Sequence, residues 1–407
     1  MRITLATVGT RGDIAPFVAL GIGLMRAGHE VRALSWDLWR EPFEAAGIDF
    51  TPAGPPTTDT AIAETAREAA SARSPLDQVA VLRDFHLRDG AAHAARLRSL
   101  LQDTDTAVIH GIHSLAVAAA TDLGLPHTTA VFDPVLLPTA SAPPPGMPSL
   151  GPMNRGLWWV LDRMLARLDA PLHAELARAG IGSRGISLFR GRSPRLHLVA
   201  CSPSIMRVPD DLPSSTRVTG AWLDPRPPEP LPREITAFLD AGPAPILVTF
   251  GSMASDAAAA HAAALTTALQ RTGLRAVVQG LPIGDSDAVC RIGAVDHRAL
   301  LPQVAMALHH GGAGTVHAAV GAGKPSVVVP HVGDQRYWAD RLHRLGVAPP
   351  ALSPKALDGD RLTTAIRHAT EPEPRERAAR LGQALVTERG VERAVQAISA
   401  SFGSGEE

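Results

Sequence analysis

The sequence predicts an α/β protein of two domains, each with a parallel sheet as its middle layer. Three observations carry this. The chain has 407 residues, too many for one ordinary core and enough for two. Strand-length apolar runs alternate with helical patterns in both halves, as expected for parallel strands joined by crossover helices. Two strand-to-helix junctions, at residues 9–13 and 311–315, are rich in glycine, and open α/β sheets bind ligands at such carboxyl ends of strands.

In order, residues 3–8 (ITLATV) read as a buried strand, the turn GTRGD follows, and a helix runs from about 15 to 26. Gly28 closes that helix and a second strand takes 31–35. Residues 59–101 read as Ala-rich helix. A short strand at 108–109 leads into HGIHS, where His110 and His113 stand three apart. A metal or acid/base pair is one use of that spacing; loop and cap contacts at a strand end are the reading taken here, with the loop bordering a ligand site. A strand at 128–132 is followed by a proline-rich loop, 133–153, and an amphipathic helix carrying Trp158 and Trp159 to about residue 170. Long loops in compact domains usually bind or cover ligands. The first domain's last strand is placed at 196–201, before a proline-dense connection.

The second domain repeats the alternation: strand 246–250, helix 256–271, strand 275–279, a strand-like run at 292–295, strand 304–308, a helix after GGAGT, and strand 326–329. From 342 onward the pattern is helix, loop and a final pair of helices.

Composition narrows the class. Hydrophobic residues make up 45%, charged residues 19%, and the formal net charge is −1, so nothing basic enough to attract nucleic acid or an anionic membrane is present. Lysine occurs only at Lys324 and Lys355. With arginine supplying nearly all the positive charge and Ala, Gly and Pro abundant, the composition suggests a GC-rich bacterial genome. Cys201 and Cys290 lie far apart without metal-ligand spacing and read as reduced thiols of a cytoplasmic protein. Residues 3–8 are too short for a signal peptide, and no window of about 20 apolar residues spans a membrane.

The chemistry concentrates in ALHHGGAGTVHAAVGAGKPSVVVPHVGDQ, residues 307–335. Apolar strand, glycine turn and helix start are the parts of a phosphate site: backbone N–H groups converge at the positive end of a helix dipole. His310 can donate to a phosphate oxygen and Thr315 adds a hydroxyl. No Walker lysine follows the turn, and GGAG lacks the third glycine and downstream acid of a dinucleotide site. A ligand-free tight turn is the alternative. The pattern that follows is more specific, since a second buried strand exits into Asp334 and Gln335.

Here the sequence resembles the family-one glycosyltransferases of GT-B fold, through HHGGAGT, the following His317, GxGxP and PxxxDQ. The resemblance implies a fold of two Rossmann-like domains facing across a cleft. Residues 1–215 would bind the acceptor, 216–240 would link the domains, 241–380 would bind a nucleotide sugar, and the C-terminal helices, 381–407, would cross back to the first domain. It implies that His310, Gly312, Ala313, Gly314 and Thr315 hold the donor diphosphate, with Ser252 of the FGS turn and Thr10 in support. Asp334 and Gln335 would contact the sugar and Val295 the nucleobase. Plant members carry a glutamate for the ribose where this chain has Ala318, so the resemblance is to the bacterial branch.

At the other end, GTRGDxxPxxAL is similar to the opening of bacterial enzymes that glycosylate glycopeptide antibiotics, macrolides and sterols. The resemblance implies that Asp13 is the general base. By position alone Asp13 reads as a helix cap, and the resemblance reverses that reading. A solvated aspartate is a poor base, so the role needs a closed, water-poor complex. The resulting expectation is an inverting transfer from a dTDP- or UDP-sugar to a hydroxyl of a bacterial secondary-metabolite aglycone. The protein would be a monomer or homodimer, with no metal and no cofactor. Two DxD triplets, Asp103-Thr104-Asp105 and Asp285-Ser286-Asp287, spell the metal site of the other large glycosyltransferase fold but follow no buried strand. A sterol or lipid acceptor is the rival within the class. A GT-B nucleotide-sugar epimerase and a non-catalytic helper are the rivals outside it, and retention of Asp13 and His310 argues against the helper.

Overall fold

The computed structural model describes residues 1–134, 137–144, 147–250 and 258–403. Ser252 lies outside the described residues. Two compact units divide the chain: residues 1–203, 207–225 and 389–407 form one, and residues 204–206 and 226–388 the other.

Unit 1 is built on a seven-stranded, wholly parallel sheet in the order β3-β2-β1-β4-β5-β6-β7. The strands are β1 (Arg2–Ala6), β2 (Glu30–Ser35), β3 (Asp49–Pro52), β4 (Thr106–His110), β5 (His127–Val131), β6 (His197–Val199) and β7 (Thr216–Val218). Order reverses between β1 and β4, so their carboxyl ends open side by side, the position where such sheets bind ligands. Both sheet faces are covered, and the central strands therefore read as unbroken apolar runs. The helix Arg11–Arg26 buries Ile14, Phe17, Val18 and Leu20 on one face. The last helix, Gly390–Phe402, packs on it within this unit, with Val391 and Ala394 in the same core.

Unit 2 carries a five-stranded parallel sheet, β10-β9-β8-β11-β12, from β8 (Ile246–Thr249), β9 (Ala276–Gln279), β10 (Val289–Ile292), β11 (Ala307–His309) and β12 (Ser326–Val328). Its order reverses between β8 and β11.

Several boundaries differ from the sequence-based ones, each for a local reason. The first helix begins at Arg11 because Thr10 ends the extended backbone one residue earlier. The helical stretch 59–101 divides into Asp59–Ser71, Pro75–His86 and Gly90–Leu100, interrupted where Ser74 caps the second helix and Asp89 adopts a left-handed φ of 51°. The Trp helix, Asn154–Leu165, stops short of 170 and passes into a 3-10 turn. The strand read at 292–295 is β10, which ends at Ile292; Asp296 already caps the next helix by accepting from the Arg298 N–H. Residues 216–218, read as linker, are the edge strand β7. Three helices, not two, close the chain after residue 358. Of these, Pro372–Thr387 stays in unit 2 against the helix Ala313–Gly321, where Gly382 lets the backbones approach: a Cβ there would lie 2.7 Å from the Val320 carbonyl.

Candidate active site

In unit 1 the chain leaves β1 through buried Thr7 and Val8 into Gly9, whose φ of 124° a side chain would not tolerate. That glycine also leaves the space into which the Asp13 carboxylate folds back. Asp13 sits three residues into the helix and accepts at Oδ2 from the Thr10 N–H (2.8 Å) and the Thr10 hydroxyl (2.9 Å), while its own N–H donates to the Thr10 carbonyl (2.9 Å). The Trp39 indole N–H fixes the turn by donating to the Gly9 carbonyl (3.2 Å). One carboxylate oxygen is therefore spent on capping. The other, Oδ1, faces His110 Nε2 at 3.9 Å, and the Asp13 side chain is 26% exposed.

His110 ends β4 and is buried between the rings of Phe17 and Phe132. Its Nδ1–H donates to the Val8 carbonyl (3.3 Å), which makes Nε2, on the Asp13 side, the basic nitrogen of the neutral ring. Burial lowers its pKa and the facing Asp13 carboxylate opposes that. From its sequence position His110 was expected to make loop and cap contacts at a strand end. The signal that identifies it is topological: β4 lies next to β1, so residues at the two strand ends meet.

In unit 2, β11 ends at His309, whose Nδ1 accepts from the Gly311 N–H (3.1 Å). Gly311 has φ 91°, and a Cβ there would lie 2.7 Å from Val328 Cγ1. Gly312 caps the helix Ala313–Gly321, and the N–H groups of Ala313, Gly314 and Thr315 have no partner within the helix, since the first helical bond runs from Val316 to the Gly312 carbonyl. The His310 imidazole lies directly over this turn: a Cβ on Gly312 would meet its Nε2 at 2.5 Å. His310 Nδ1 is buried without a partner among the described residues. Burial, then the neighbouring His331, lower its pKa to about 4, so the resting ring is neutral.

At the exit of β12, Gln335 Oε1 accepts from the main-chain N–H of His331 (2.7 Å) and of Val332 (3.1 Å), leaving its amide NH₂ as donor. Asp334 starts the helix Gln335–Arg344 and accepts from the Trp338 indole (2.7 Å). His331, not singled out in the sequence, has both ring nitrogens buried with no partner at hydrogen-bond geometry among the described residues. Val295 is half-buried between β10 and the short helix His297–Leu300, packed against apolar core. Gln279, also not anticipated, braces that corner: its Oε1 accepts from the Thr249 hydroxyl (3.0 Å) and lies 3.1 Å from His297 Nε2, while its Nε2–H donates to the Gly293 carbonyl (2.8 Å).

The predicted residues thus fall into two sets at carboxyl strand ends. Asp13 and Thr10 meet in unit 1, and Thr10 spends its N–H and hydroxyl on Asp13. His310, the Gly312–Thr315 turn, Asp334 and Gln335 gather in unit 2. One aspartate of each DxD triplet has a structural occupation: Asp105 pairs with Arg2, and Asp285 accepts from the Arg291 N–H (2.7 Å).

Known proteins give this geometry a family. The profile of the erythromycin biosynthesis protein CIII-like C-terminal domain matches residues 268–398, and that of the glycosyltransferase family 28 N-terminal domain matches residues 3–80. The chain is 33% identical to O-mycaminosyltylonolide 6-deoxyallosyltransferase of Streptomyces fradiae, over 97% of this chain and 96% of that one. It is 31% identical to vancomycin aglycone glucosyltransferase of Amycolatopsis orientalis, over 95% of each. Among solved structures, the glycotransferase of kitacinnamycin superposes with a TM-score of 0.74 at 19% identity, covering 98% of this chain and 99% of that one. The glycosyltransferase VinC in complex with dTDP gives 0.70 at 20% identity over the whole of both chains. No helix among the described residues is long and apolar enough to cross a membrane. Fold, motifs and full-length identity agree, and the chain is a GT-B enzyme that belongs to the glycosyltransferase family of antibiotic biosynthesis.

Proposed function

We propose that the enzyme transfers a hexose or deoxyhexose from a dTDP- or UDP-sugar to a hydroxyl of a secondary-metabolite aglycone, with inversion and without a metal. The observation that carries this reading is the His310 imidazole, whose Nε2 lies over the open N-terminus of the helix Ala313–Gly321. A diphosphate oxygen seated there meets Nε2 and the N–H groups of residues 313–315 together.

In this reading Asp13 Oδ1 accepts the proton of the acceptor hydroxyl as its oxygen attacks the anomeric carbon. The anomeric C–O bond breaks, and its electrons leave with the diphosphate, whose growing charge is stabilised by His310 and the helix terminus. His110 Nε2 shares the proton that Asp13 receives. The Gln335 amide and Asp334 orient the sugar, and Val295 borders the base. Relatives support the donor class: VinC was solved in complex with dTDP, and a dTDP-epi-vancosaminyltransferase of Amycolatopsis orientalis is 30% identical.

The test is thermal stabilisation of the wild type, Asp13→Asn and His310→Ala by dTDP, UDP and GDP. Stabilisation by dTDP or UDP that persists in Asp13→Asn and fades in His310→Ala is expected. No response to any diphosphate overturns the donor site.

A further inference from the structure

Beside Val8, whose carbonyl holds His110, a small and partly open chamber of unit 1 is lined by His86, His93 and His113, with Trp36, Leu188 and Phe189 among its apolar walls. Its volume of about 10 Å³ admits one oxygen-sized group. Four imidazole nitrogens around it are buried with no partner among the described residues: His86 Nε2, both nitrogens of His93, and His113 Nε2. Buried polar atoms are nearly always satisfied, so several orphans on one cavity call for a missing partner.

The chemistry of that partner can be read from the rings. Burial lowers the pKa of all three, and their mutual repulsion adds to it for His93 and His113, so they are neutral. His86 Nδ1–H donates to the Leu82 carbonyl (2.8 Å), leaving Nε2 a lone pair that needs a donor. Neutral His93 offers one N–H and one lone pair. A carbonyl or ether oxygen cannot donate to His86, and an ammonium group cannot accept from His93. A hydroxyl does both.

A second observation marks the same place. Phe189 has φ 55°, a left-handed backbone that is costly for a bulky residue. It is held there from both sides. The Phe189 N–H donates to Ser114 Oγ (3.0 Å), and the Leu188 N–H to Asp169 Oδ1 (2.8 Å), while Asp169 pairs with buried Arg190 (2.8 Å). The strain sets the Phe189 ring edge-on to His86, with centroids 5.1 Å apart.

We propose that this chamber seats a second hydroxyl of the acceptor, so that an uncharged, hydroxylated and largely apolar ring system is held with a different hydroxyl offered to Asp13. The inference rests on the reading of Asp13 as the base, and it makes His86, His93 and His113 determinants of which position is glycosylated.

The experiment titrates resorcinol and 1,3-dimethoxybenzene, the same ring without donors, into the wild type, His93→Leu and His93→Gln, following tryptophan fluorescence and melting temperature, with dTDP as a parallel ligand. Resorcinol is expected to bind at least tenfold more tightly than its dimethyl ether. That preference is lost in His93→Leu and retained in part by His93→Gln. Without ligand, His93→Leu melts higher, because an unsatisfied polar group is gone. An equal or absent response to the two rings overturns the proposal. So does a His93→Leu variant that melts lower and keeps the preference, which makes the histidines holders of a structural water. The dTDP response separates the two readings: intact stabilisation with no resorcinol preference removes the hydroxyl seat alone, and a lost dTDP response removes the donor site alone.

Discussion

Acidification from pH 7 to pH 5 should unfold this protein through its neutral buried histidines. Burial is the first cause lowering His93, His197, His310 and His317 to about 4 and His309 to about 3. In the unfolded chain each returns to about 6.5. The unfolded state therefore binds protons first as pH falls, and stability is lost from about pH 6.5 down to the folded pKa values. For a histidine shifted from about 6.5 to about 4, linkage gives a loss of about 2 kcal/mol between pH 7 and pH 5. In unit 1, His93 and His197 account for about 4 kcal/mol, and buried His86, His110 and His113 add to the loss in the same direction; in unit 2, His309, His310 and His317 account for about 6 kcal/mol. Losses of that size consume much of a domain's usual stability of about 5–15 kcal/mol. Urea unfolding at pH 7, 6 and 5 measures this, with Trp338 of unit 2 and the tryptophans of unit 1 separated by single Trp→Phe variants. A fall below about 2 kcal/mol in both units would refute the assignment of these rings as buried and neutral.

Three further outcomes follow from the site. Diphosphate binding should draw a proton onto His310, so dTDP affinity rises as pH falls from 8 to 6; calorimetry in buffers of different ionisation enthalpy should show an uptake that His310→Gln abolishes. Gly312→Ala places a methyl 2.5 Å from His310 Nε2 and should weaken dTDP by about 10-fold or more, about 1.4 kcal/mol, with little change in melting temperature; unchanged affinity would remove the imidazole from the phosphate turn. His110→Phe keeps the packing against Phe17 and Phe132 but removes the nitrogen facing Asp13, so kcat with any competent acceptor should fall by about 10²-fold while the dTDP response is unmoved.

What was legible in the sequence was what strand periodicity and glycine chemistry govern. The β1 turn and the β11 turn stood out because each needs glycine at a fixed point, Gly9 for the Asp13 carboxylate and Gly311 for the approach of Val328. The helix cap at Asp13 was legible for the same local reason. His110 and His331 were not, because their roles depend on which strand ends are neighbours, and a single sequence does not order strands. His86 and His93 were hidden inside one long Ala-rich helical reading; the breaks at Ser74 and Asp89 turn their helices so that both line the chamber with His113. Strand β7 was missed because proline density outweighed three residues of β propensity, and a buried Thr216 at a sheet edge carries little hydrophobic signal.

The observed cap and the proposed base role of Asp13 are compatible within one arrangement. A capping aspartate ordinarily uses whichever oxygen suits the helix, and its rotamer is free to change. Here Thr10 takes Oδ2 with both its N–H and its hydroxyl, at 2.8 and 2.9 Å, which fixes the plane of the carboxylate. Oδ1 is thereby turned toward His110. If that orientation matters for proton transfer, Thr10→Val, which keeps the N–H bond and removes the hydroxyl, should lower kcat more than KM and leave the dTDP response intact. A loss confined to melting temperature would reduce the threonine to an ordinary cap, worth about 1 kcal/mol.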